Sequence, residues 1–351
     1  MFKQAALSKF FTRETNSSMD KQMFNGISKT IMKKIFLFSI CFLFLWACEN
    51  KKENIILYTS QHNKDIVVLI NAFQKKNPDI HVEVFRSGTT EVVNRLLPEA
   101  KNGNVQADVI MISDTITMEN LKRKKLLGSL EGIEIAEDLR AFYDSDKTYC
   151  GTKRISIGLV FNKGLTSKLT SFADLNKPEF KDKIVIPSPF YSGAAALMLG
   201  IFIENPAFGW DFYTKLKSNN VTIVDGNASV VEAVASGKKM AGIVVDFMAF
   251  NAKHKGSPID FVYPSEGSIT ITEPIALIKK KDENYKPQAK RFIEFVLSDE
   301  GQEIAKNLGY RCIKKSHPAD LKTMPFNSEN VLENLEKNKK SFAELFNGSI
   351  N

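Results

Sequence analysis

The sequence predicts an α/β protein of two lobes, each a mostly parallel sheet flanked by helices. Short apolar strands alternate with helices along most of the 351 residues, a pattern typical of sheets with helices on their faces. The apolar run 154–161 near the middle of the chain is long enough to cross from one lobe to the other. The chain is also long enough for two domains.

Lobe 1 is predicted to begin with three strand–loop–helix units, whose strands cover residues 55–58, 81–86 and 107–112. Serine or threonine follows each strand. In such sheets ligands bind beyond the carboxyl ends of the strands. The sequence therefore predicts a binding cleft formed by polar residues of these loops. The candidates are Ser60, His62, Ser87, Gly88, Thr89 and Asp114.

Residues 184–200 carry the clearest local signal for an anion site. Three apolar strand formers are followed by a turn, by Ser192 and Gly193, and then by an apolar helix. The first backbone N–H groups of a helix have no partner inside it and lie at the positive end of its dipole. A small anion is expected there, with Ser192 and Gly193 as contacts. The alternative is an ordinary helix capped by Ser192.

Lobe 2 is predicted to cover residues 151–267, and lobe 1 residues 55–150 plus 268–351. Strands are expected at 221–224, 241–245, 259–263 and 269–278, the last interrupted at Glu273-Pro274. Asp246 follows one of these strands and is a candidate contact for a cationic group of the ligand. Its alternative role is the N-cap of the next helix. The C-terminal part is predicted to be helical.

The N-terminal segment predicts export and lipid anchoring. Lys33 and Lys34 precede a 13-residue uncharged run that ends in Ala47 and Cys48, as in a bacterial lipoprotein signal peptide. Residues 32–47 would be the signal peptide, Cys48 the lipidated N-terminus and 48–54 a tether. A plain signal peptide and an uncleaved anchor are the alternatives. Residues 1–31 are interpreted as an extension upstream of the true start, Met32.

Charge and motifs exclude several function classes. The net charge is +8, but the first 34 residues hold seven Lys/Arg and two Asp/Glu and so carry +5. The remaining charge of +3 is too small to indicate nucleic-acid binding. There is no Walker loop, GxGxxG or nucleophile elbow, and no histidine spacing typical of a metal site. No catalysis and no cofactor are expected. Cys150 and Cys312 are either a disulfide or two separate thiols.

Several stretches resemble the bacterial extracellular solute-binding proteins of ABC importers, in their ferric-ion-binding branch. They are Leu57-Tyr58-Thr59-Ser60-Gln61-His62, Phe85-Arg86-Ser87-Gly88-Thr89, Ala107-Asp108-Val109, Trp210-Asp211-Phe212-Tyr213 and Leu297-Ser298-Asp299-Glu300-Gly301-Gln302. The resemblance implies the type II periplasmic-binding fold with a cleft between the lobes. It also implies a monomer on the extracytoplasmic face that delivers a solute to a membrane permease and its ATPase.

The resemblance implies ferric iron with a synergistic anion as the transported ligand, with His62 and Asp114 as metal ligands. The ferric-binding members also use a tyrosine pair after the strand at 241–245, where this chain has Asp246-Phe247-Met248. A phosphorylated or phosphonate anion is therefore the second hypothesis. From other classes, an enzyme acting on phosphorylated compounds and an adhesion lipoprotein with a vestigial cleft remain alternatives.

Overall fold

The computed structural model describes residues 53–135, 137–281, 284–313 and 321–346. The described residues belong to one compact unit. The predicted extension, the signal peptide and Cys48 lie outside the described residues. Among the helices described, none is both long enough and apolar enough to cross a membrane.

The fold consists of ten strands and ten α-helices over the described residues, with short 3-10 turns between them. The strands are β1 (Glu53–Thr59), β2 (Ile80–Arg86), β3 (Val109–Met111), β4 (Tyr149–Asn162), β5 (Ile184–Pro187), β6 (Thr222–Val224), β7 (Ala241–Val245), β8 (Ile259–Val262), β9 (Ile269–Leu277) and β10 (Arg311–Cys312). The helices are α1 (Asn63–Lys76), α2 (Thr89–Lys101), α3 (Thr115–Arg123), α4 (Gly193–Glu204), α5 (Gly209–Ser218), α6 (Asn227–Ala235), α7 (Asp246–His254), α8 (Pro287–Leu297), α9 (Asp299–Asn307) and α10 (Ser328–Phe346).

All ten strands belong to one mixed sheet. Its order is β2-β1-β3-β9-β4-β7-β5-β6, and β8 and β10 also pair with β4. β1, β2 and β3 are parallel and make the first half of the sheet, while β5, β6 and β7 are parallel and make the second half. The predicted α/β class is confirmed, and the two parallel sets are joined by the antiparallel strands β4 and β9.

The register brings the carboxyl ends of the two parallel sets together. Met111 at the end of β3 pairs with Ile275, and Val245 at the end of β7 pairs with Ile157. Between these points, Lys153 of β4 pairs with Glu273 of β9. The loops that follow the strands of both halves therefore lie over the middle of β4 and β9, where a cleft forms.

Strand β9 continues through Pro274, although the sequence predicts an interruption there. Proline has no backbone N–H to donate to a neighbouring strand. The partner strand β4 accommodates this with a register shift between Gly151 and Lys153, opposite Pro274. The irregularity therefore lies in β4, and it leaves β9 as a continuous strand between the halves.

Each half of the sheet has its own core on both faces. In β1, Leu57 packs with Phe73 and Phe292 on one face, while Tyr58 packs with Val92 on the other. This follows from the alternation of side chains along a strand. In the second half, the apolar helix α4 is buried in a cluster with aromatic residues. The aromatic members include Phe172, Phe202, Phe208, Phe212 and Phe342.

The last helix, α10, packs on α4 of the second half and also contacts α3 of the first half, whereas the sequence assigns residues 268–351 to lobe 1. Val331, Leu335 and Phe342 lie on one face of α10 and join the core of α4. A Cβ atom added at Gly200 would lie 2.7 Å from Val331 Cγ1, so this glycine permits the close packing of the two helices. The apolar stripe of α10 packs against the apolar helix α4, and this contact determines where α10 lies.

Cys150 and Cys312 are both buried as free thiols. Burial raises the pKa of Cys150 to about 12. A thiol that stays protonated is a poor nucleophile. Of the two possibilities given for these cysteines, the structure shows two separate thiols and no disulfide between them.

Candidate functional site

A cavity of about 290 Å³ lies between the strand-end loops of the two halves. It is lined by most of the residues selected from the sequence, which the fold brings together from distant parts of the chain. These are Ser60, His62, Gly88, Thr89, Ser192 and Gly193. Ser87, Asp114 and Asp246 do not line it.

Three hydroxyl groups form a cluster on the wall contributed by the first half. Thr89 Oγ1 lies 3.0 Å from Ser60 Oγ and 3.0 Å from Ser113 Oγ. The three residues follow β1, β2 and β3, so the segment after each strand contributes one member of the cluster. Hydroxyl groups both donate and accept hydrogen bonds, and the cluster can turn its donors towards an oxyanion.

Three helices begin at the cavity. The first residues of α2, α4 and α6 are Thr89, Gly193 and Asn227, and all three line it. Ser192 caps α4 by accepting a bond from the Ala195 N–H at 3.3 Å, as the sequence predicts. Each helix start adds partial positive charge. Their convergence makes the cavity attractive to an anion.

The two walls of the cavity touch at two glycines. A Cβ atom at Gly193 would clash with Asp114 Oδ2 and lie 2.7 Å from Ser113 Oγ. A Cβ atom at Gly88 would lie 2.5 Å from the Tyr191 carbonyl oxygen. Both positions need glycine because a loop of one half passes directly against the other half. The halves are thus closed upon each other in this structure.

Asp114 serves as a helix cap beside the cavity. Its carboxylate accepts bonds from the Thr117 N–H at 2.6 Å and from Thr117 Oγ1 at 2.9 Å. Burial raises the pKa of Asp114, while the Thr117 bonds and the charge of Lys339 oppose that change. Ser87, the other lobe 1 candidate outside the lining, donates its hydroxyl hydrogen bond to Glu91.

Asp246 lies outside the cavity, with its carboxylate in a network of the second half. Oδ1 accepts bonds from the Ser156 and Phe247 N–H groups, each at 2.9 Å. Oδ2 accepts a bond from the Tyr263 hydroxyl at 3.1 Å and lies 3.5 Å from Arg311 Nε. The Asp246 carboxylate therefore links strand β4 and helix α7 to Tyr263 and Arg311.

The two predicted metal ligands, His62 and Asp114, are each engaged with a different neighbour. His62 Nδ1 lies 3.7 Å from Asp65 Oδ1, and Asp114 is occupied by Thr117. Within the described ranges, no group of three or more His, Cys, Asp and Glu side chains is arranged to hold a metal ion. Of the phenols in this region, Tyr191 lines the cavity and Tyr263 bonds to Asp246.

Three further cavity residues carry little signal in the sequence: Arg86, Asn227 and Tyr310. Arg86 ends β2, and its guanidinium donates to the Tyr191 hydroxyl at 3.0 Å and to the Gln61 carbonyl oxygen at 2.9 Å. An arginine next to a Ser-Gly loop at a strand end is the signal that could have marked it. Tyr310 comes from the C-terminal part and stacks on Phe247 with ring centroids 4.0 Å apart.

The cavity floor is formed by the strands that connect the halves. Glu273 of β9 is 4% exposed, and its Oε2 lies 3.0 Å from Nζ of Lys153 on β4. Burial raises the pKa of Glu273, and the adjacent lysine charge acts in the opposite direction. Gln61, also 4% exposed, extends into the same region.

Comparison with known proteins agrees with this architecture. The family described as bacterial extracellular solute-binding protein matches residues 57–311. The phosphoglycerate transport regulatory protein PgtC of Salmonella typhimurium is 21% identical over 265 residues. That match covers 74% of this chain and 65% of PgtC, less than two thirds of the relative's length.

Two solved structures have similar folds. The periplasmic binding protein AfuA of Actinobacillus pleuropneumoniae, with bound fructose-6-phosphate, has a TM-score of 0.71 at 20% identity, over 85% of this chain and 99% of AfuA. Iron-bound HitA of Pseudomonas aeruginosa has a TM-score of 0.67 at 19% identity, over 83% of this chain and 99% of HitA. At these identities the likeness shows the fold alone.

Proposed function

Since the chain belongs to the bacterial extracellular solute-binding proteins, we propose that it captures an organic anion with a phosphate or phosphonate head. It then delivers this solute to a membrane permease powered by a separate ATPase. The protein acts as a monomer on the extracytoplasmic face, held to the membrane by a lipid on Cys48. No chemical step is required of the chain in this role.

One observation carries the choice of ligand head: the hydroxyl cluster and the converging helix starts line the same cavity. Ser60, Thr89 and Ser113 supply hydrogen-bond donors from the first half, and Gly193 supplies a helix start from the second. Arg86 adds a positive charge on the cavity wall. A tetrahedral oxyanion matches donors that approach it from several sides.

Ferric iron with a synergistic anion is the competing ligand, favoured by the resemblance and by the fold of iron-bound HitA. Iron would need further oxygen ligands besides His62 and Asp114, since the Asp114 carboxylate already caps a helix. Tyr191, one of the phenols that line the cavity, could supply one. The ordered cluster of uncharged hydroxyls and the positive Arg86 suit an anion better than a trivalent cation.

The proposed mechanism is closure of two lobes over the solute. We assign residues 55–150 and the β9 to α9 segment to lobe 1, and residues 151–267 together with α10 to lobe 2. Contacts at Gly88 and Gly193 hold the closed form because each half then completes the wall of the other. A bound anion between the halves adds a bridge that the open form lacks.

The test is calorimetric titration of residues 49–351, prepared free of metal, with inorganic phosphate, methylphosphonate, hexose 6-phosphates and ferric citrate. The phosphorylated compounds are expected to bind, and Arg86→Ala should weaken them by about 100-fold because a charge-assisted bond is lost. Arg291→Ala, at an exposed arginine far along the chain, is the matched control. Binding of ferric citrate alone, unaffected by Arg86→Ala, would contradict the proposal.

A second experiment tests closure. Gly193→Ala should abolish high-affinity binding because the added methyl group collides with Asp114, Ser113 and Thr89 of the other half. Gly164→Ala is the control, since its Cβ would come no closer than 3.2 Å to another group. Solution scattering should show a compaction with solute for the control and none for Gly193→Ala. Equal affinity of the two variants would exclude closure at this contact.

A further inference from the structure

The last helix, α10, contacts both halves of the molecule. It packs on α4 of the second half and also lies against α3 of the first half. At one end of α3, Arg123 forms an ion pair with Glu329 of α10. At the other end, burial raises the pKa of the Asp114 carboxyl and the Lys339 charge opposes this rise, so the lysine lies near the start of α3. The two helices therefore lie side by side and run in opposite directions.

The two sides of α10 differ in chemical character. Val331 and Leu335 lie on the side that joins the core around α4. Glu329, Glu336 and Lys339 follow the helical repeat on another side of the helix, the one that carries the contact with α3. Contacts between domains that form and separate are more polar than permanent ones. Helix α10 is therefore expected to stay with the second half and to be able to leave α3.

Helix α3 contributes one apolar residue to the second half. Ile116 is 4% exposed and belongs to the apolar cluster that contains Leu335 of α10. Met118 and Leu121, on the other side of α3, belong to a core cluster of the first half. Ile116 and Arg123 are two helical turns apart and so share one side of α3. Separation of the halves would therefore expose Ile116 while Met118 stays buried.

We propose that α10 forms a releasable closure contact: it moves with the second half, docks on Ile116 and Arg123 of α3 when the cleft closes, and leaves them when the cleft opens. This inference rests on the proposed function, since it concerns the closure that captures the solute. The contact lies beside the cavity and outside its lining, so it favours the closed form with or without solute. Apparent affinity depends on the closed fraction, so the contact strengthens the binding of any solute that the cavity takes.

The test measures how fast introduced cysteines react with N-ethylmaleimide in residues 49–351 without solute. Ile116→Cys should react about tenfold or more faster than Met118→Cys, because opening of the halves exposes only the first position. The native thiols Cys150 and Cys312 are buried, and their reaction in the same sample reports unfolding. Equal rates for the two introduced cysteines, relative to the native thiols, would overturn the inference.

A third cysteine tests which half carries α10. Val331 is fully buried on α10 and packs against Gly200 of α4. If α10 moves with the second half, Val331→Cys should react as slowly as Met118→Cys. Fast reaction of both Ile116→Cys and Val331→Cys would mean that α10 separates from α4 as well, and it would overturn the inference.

Charge reversal tests the ion pair at the other end of the contact. In the Ile116→Cys protein, Arg123→Glu should raise the reaction rate about threefold or more, because the attraction to Glu329 becomes a repulsion. Addition of Glu329→Arg should restore the original rate. Lys215→Glu is the matched control, since its partner Asp211 lies on the same helix, α5. If Arg123→Glu leaves the rate unchanged, α3 and α10 do not separate on opening and the inference is wrong.

The outcome of these experiments is separate from that of the proposed function, because no solute is present. Failure of the predicted rates would overturn the closure contact and leave solute capture standing. Absence of inorganic phosphate binding and of hexose 6-phosphate binding in the calorimetric titration would overturn the proposed ligand, while the reaction rates of Ile116→Cys and Met118→Cys would still decide whether α10 releases α3.

Discussion

Asp246 and Glu273 are equally buried carboxylates, 3% and 4% exposed, in two different regions of the molecule. Asp246 lies at the end of β7, and two backbone N–H groups, a phenol and an arginine surround it. Glu273 lies within β9 on the cavity floor, where the Lys153 ammonium and the Gln61 side chain lie beside its carboxylate. The difference shows that burial and acidity alone do not distinguish a carboxylate that belongs to the fold from one that lines the cavity.

The largest effect that tests this comparison is on stability. Asp246→Ala should lower the free energy of unfolding by about 3 kcal/mol because two buried backbone N–H groups lose their acceptor. Urea denaturation measures the change. Asp211→Ala, at an exposed acid paired with Lys215, should cost under about 0.5 kcal/mol. If the two variants are equally stable, the Asp246 network has no structural role.

The next effect concerns Asp114, the other acid that caps a helix. Asp114→Ala should lower the free energy of unfolding by about 1.5 kcal/mol, since it removes the N-cap of α3. Asp114→Asn keeps an acceptor for the Thr117 N–H and should recover most of the loss in the same urea assay. An Asn variant as unstable as the Ala variant would mean that charge, and not capping, is what the site requires.

A smaller effect is expected at the phenol that completes the Asp246 network. Tyr263→Phe removes the hydroxyl that donates to Asp246 Oδ2 and should cost about 1 kcal/mol of unfolding free energy. In the Asp246→Ala background the same change should cost almost nothing, because the partner is already gone. A full loss in both backgrounds would show that the two groups are uncoupled.

The smallest effect is a pH dependence from Glu273. Burial raises the pKa of its carboxyl in the folded protein, so the folded state binds this proton more tightly than the unfolded state. Its contribution to stability is full below the ordinary glutamate pKa of about 4.3 and is lost as pH rises through the folded value. The stability of the wild type relative to Glu273→Gln should therefore fall from pH 4 upward. A difference that rises with pH would mean that the lysine charge outweighs burial.

Much of the fold could be predicted from the sequence because local patterns determine it. The loops after β1, β2 and β3 and the cap at Ser192 follow from apolar runs that end in Ser, Thr or Gly. Such signals depend on residues close together in the chain. The same signals could not decide whether Asp246 binds a ligand or serves the fold, since both roles place an acid at a strand end.

The rest of the site depends on contacts between distant segments. Tyr310 stacks on Phe247 and donates a bond to Asp65 at 2.7 Å, and no local pattern relates these three residues. The sequence places Arg86 at a strand end, but its contact with Tyr191 depends on a segment more than a hundred residues away. The packing of α10 on α4 likewise has no local signal, because an apolar stripe fits any apolar helix.

The location of α10 has a consequence for how the protein reaches its folded state. The core around α4 contains Phe342 and Phe346, close to the end of the described chain. The sheet of the first half likewise needs β9, which follows residues 151–267 in sequence. A growing or translocating chain that ends before β9 therefore lacks a central strand of the first half, and one that ends before α10 lacks part of the second-half core. The second-half core is complete only when the C-terminal helix is present, and a truncation before Ser328 would leave α4 uncovered.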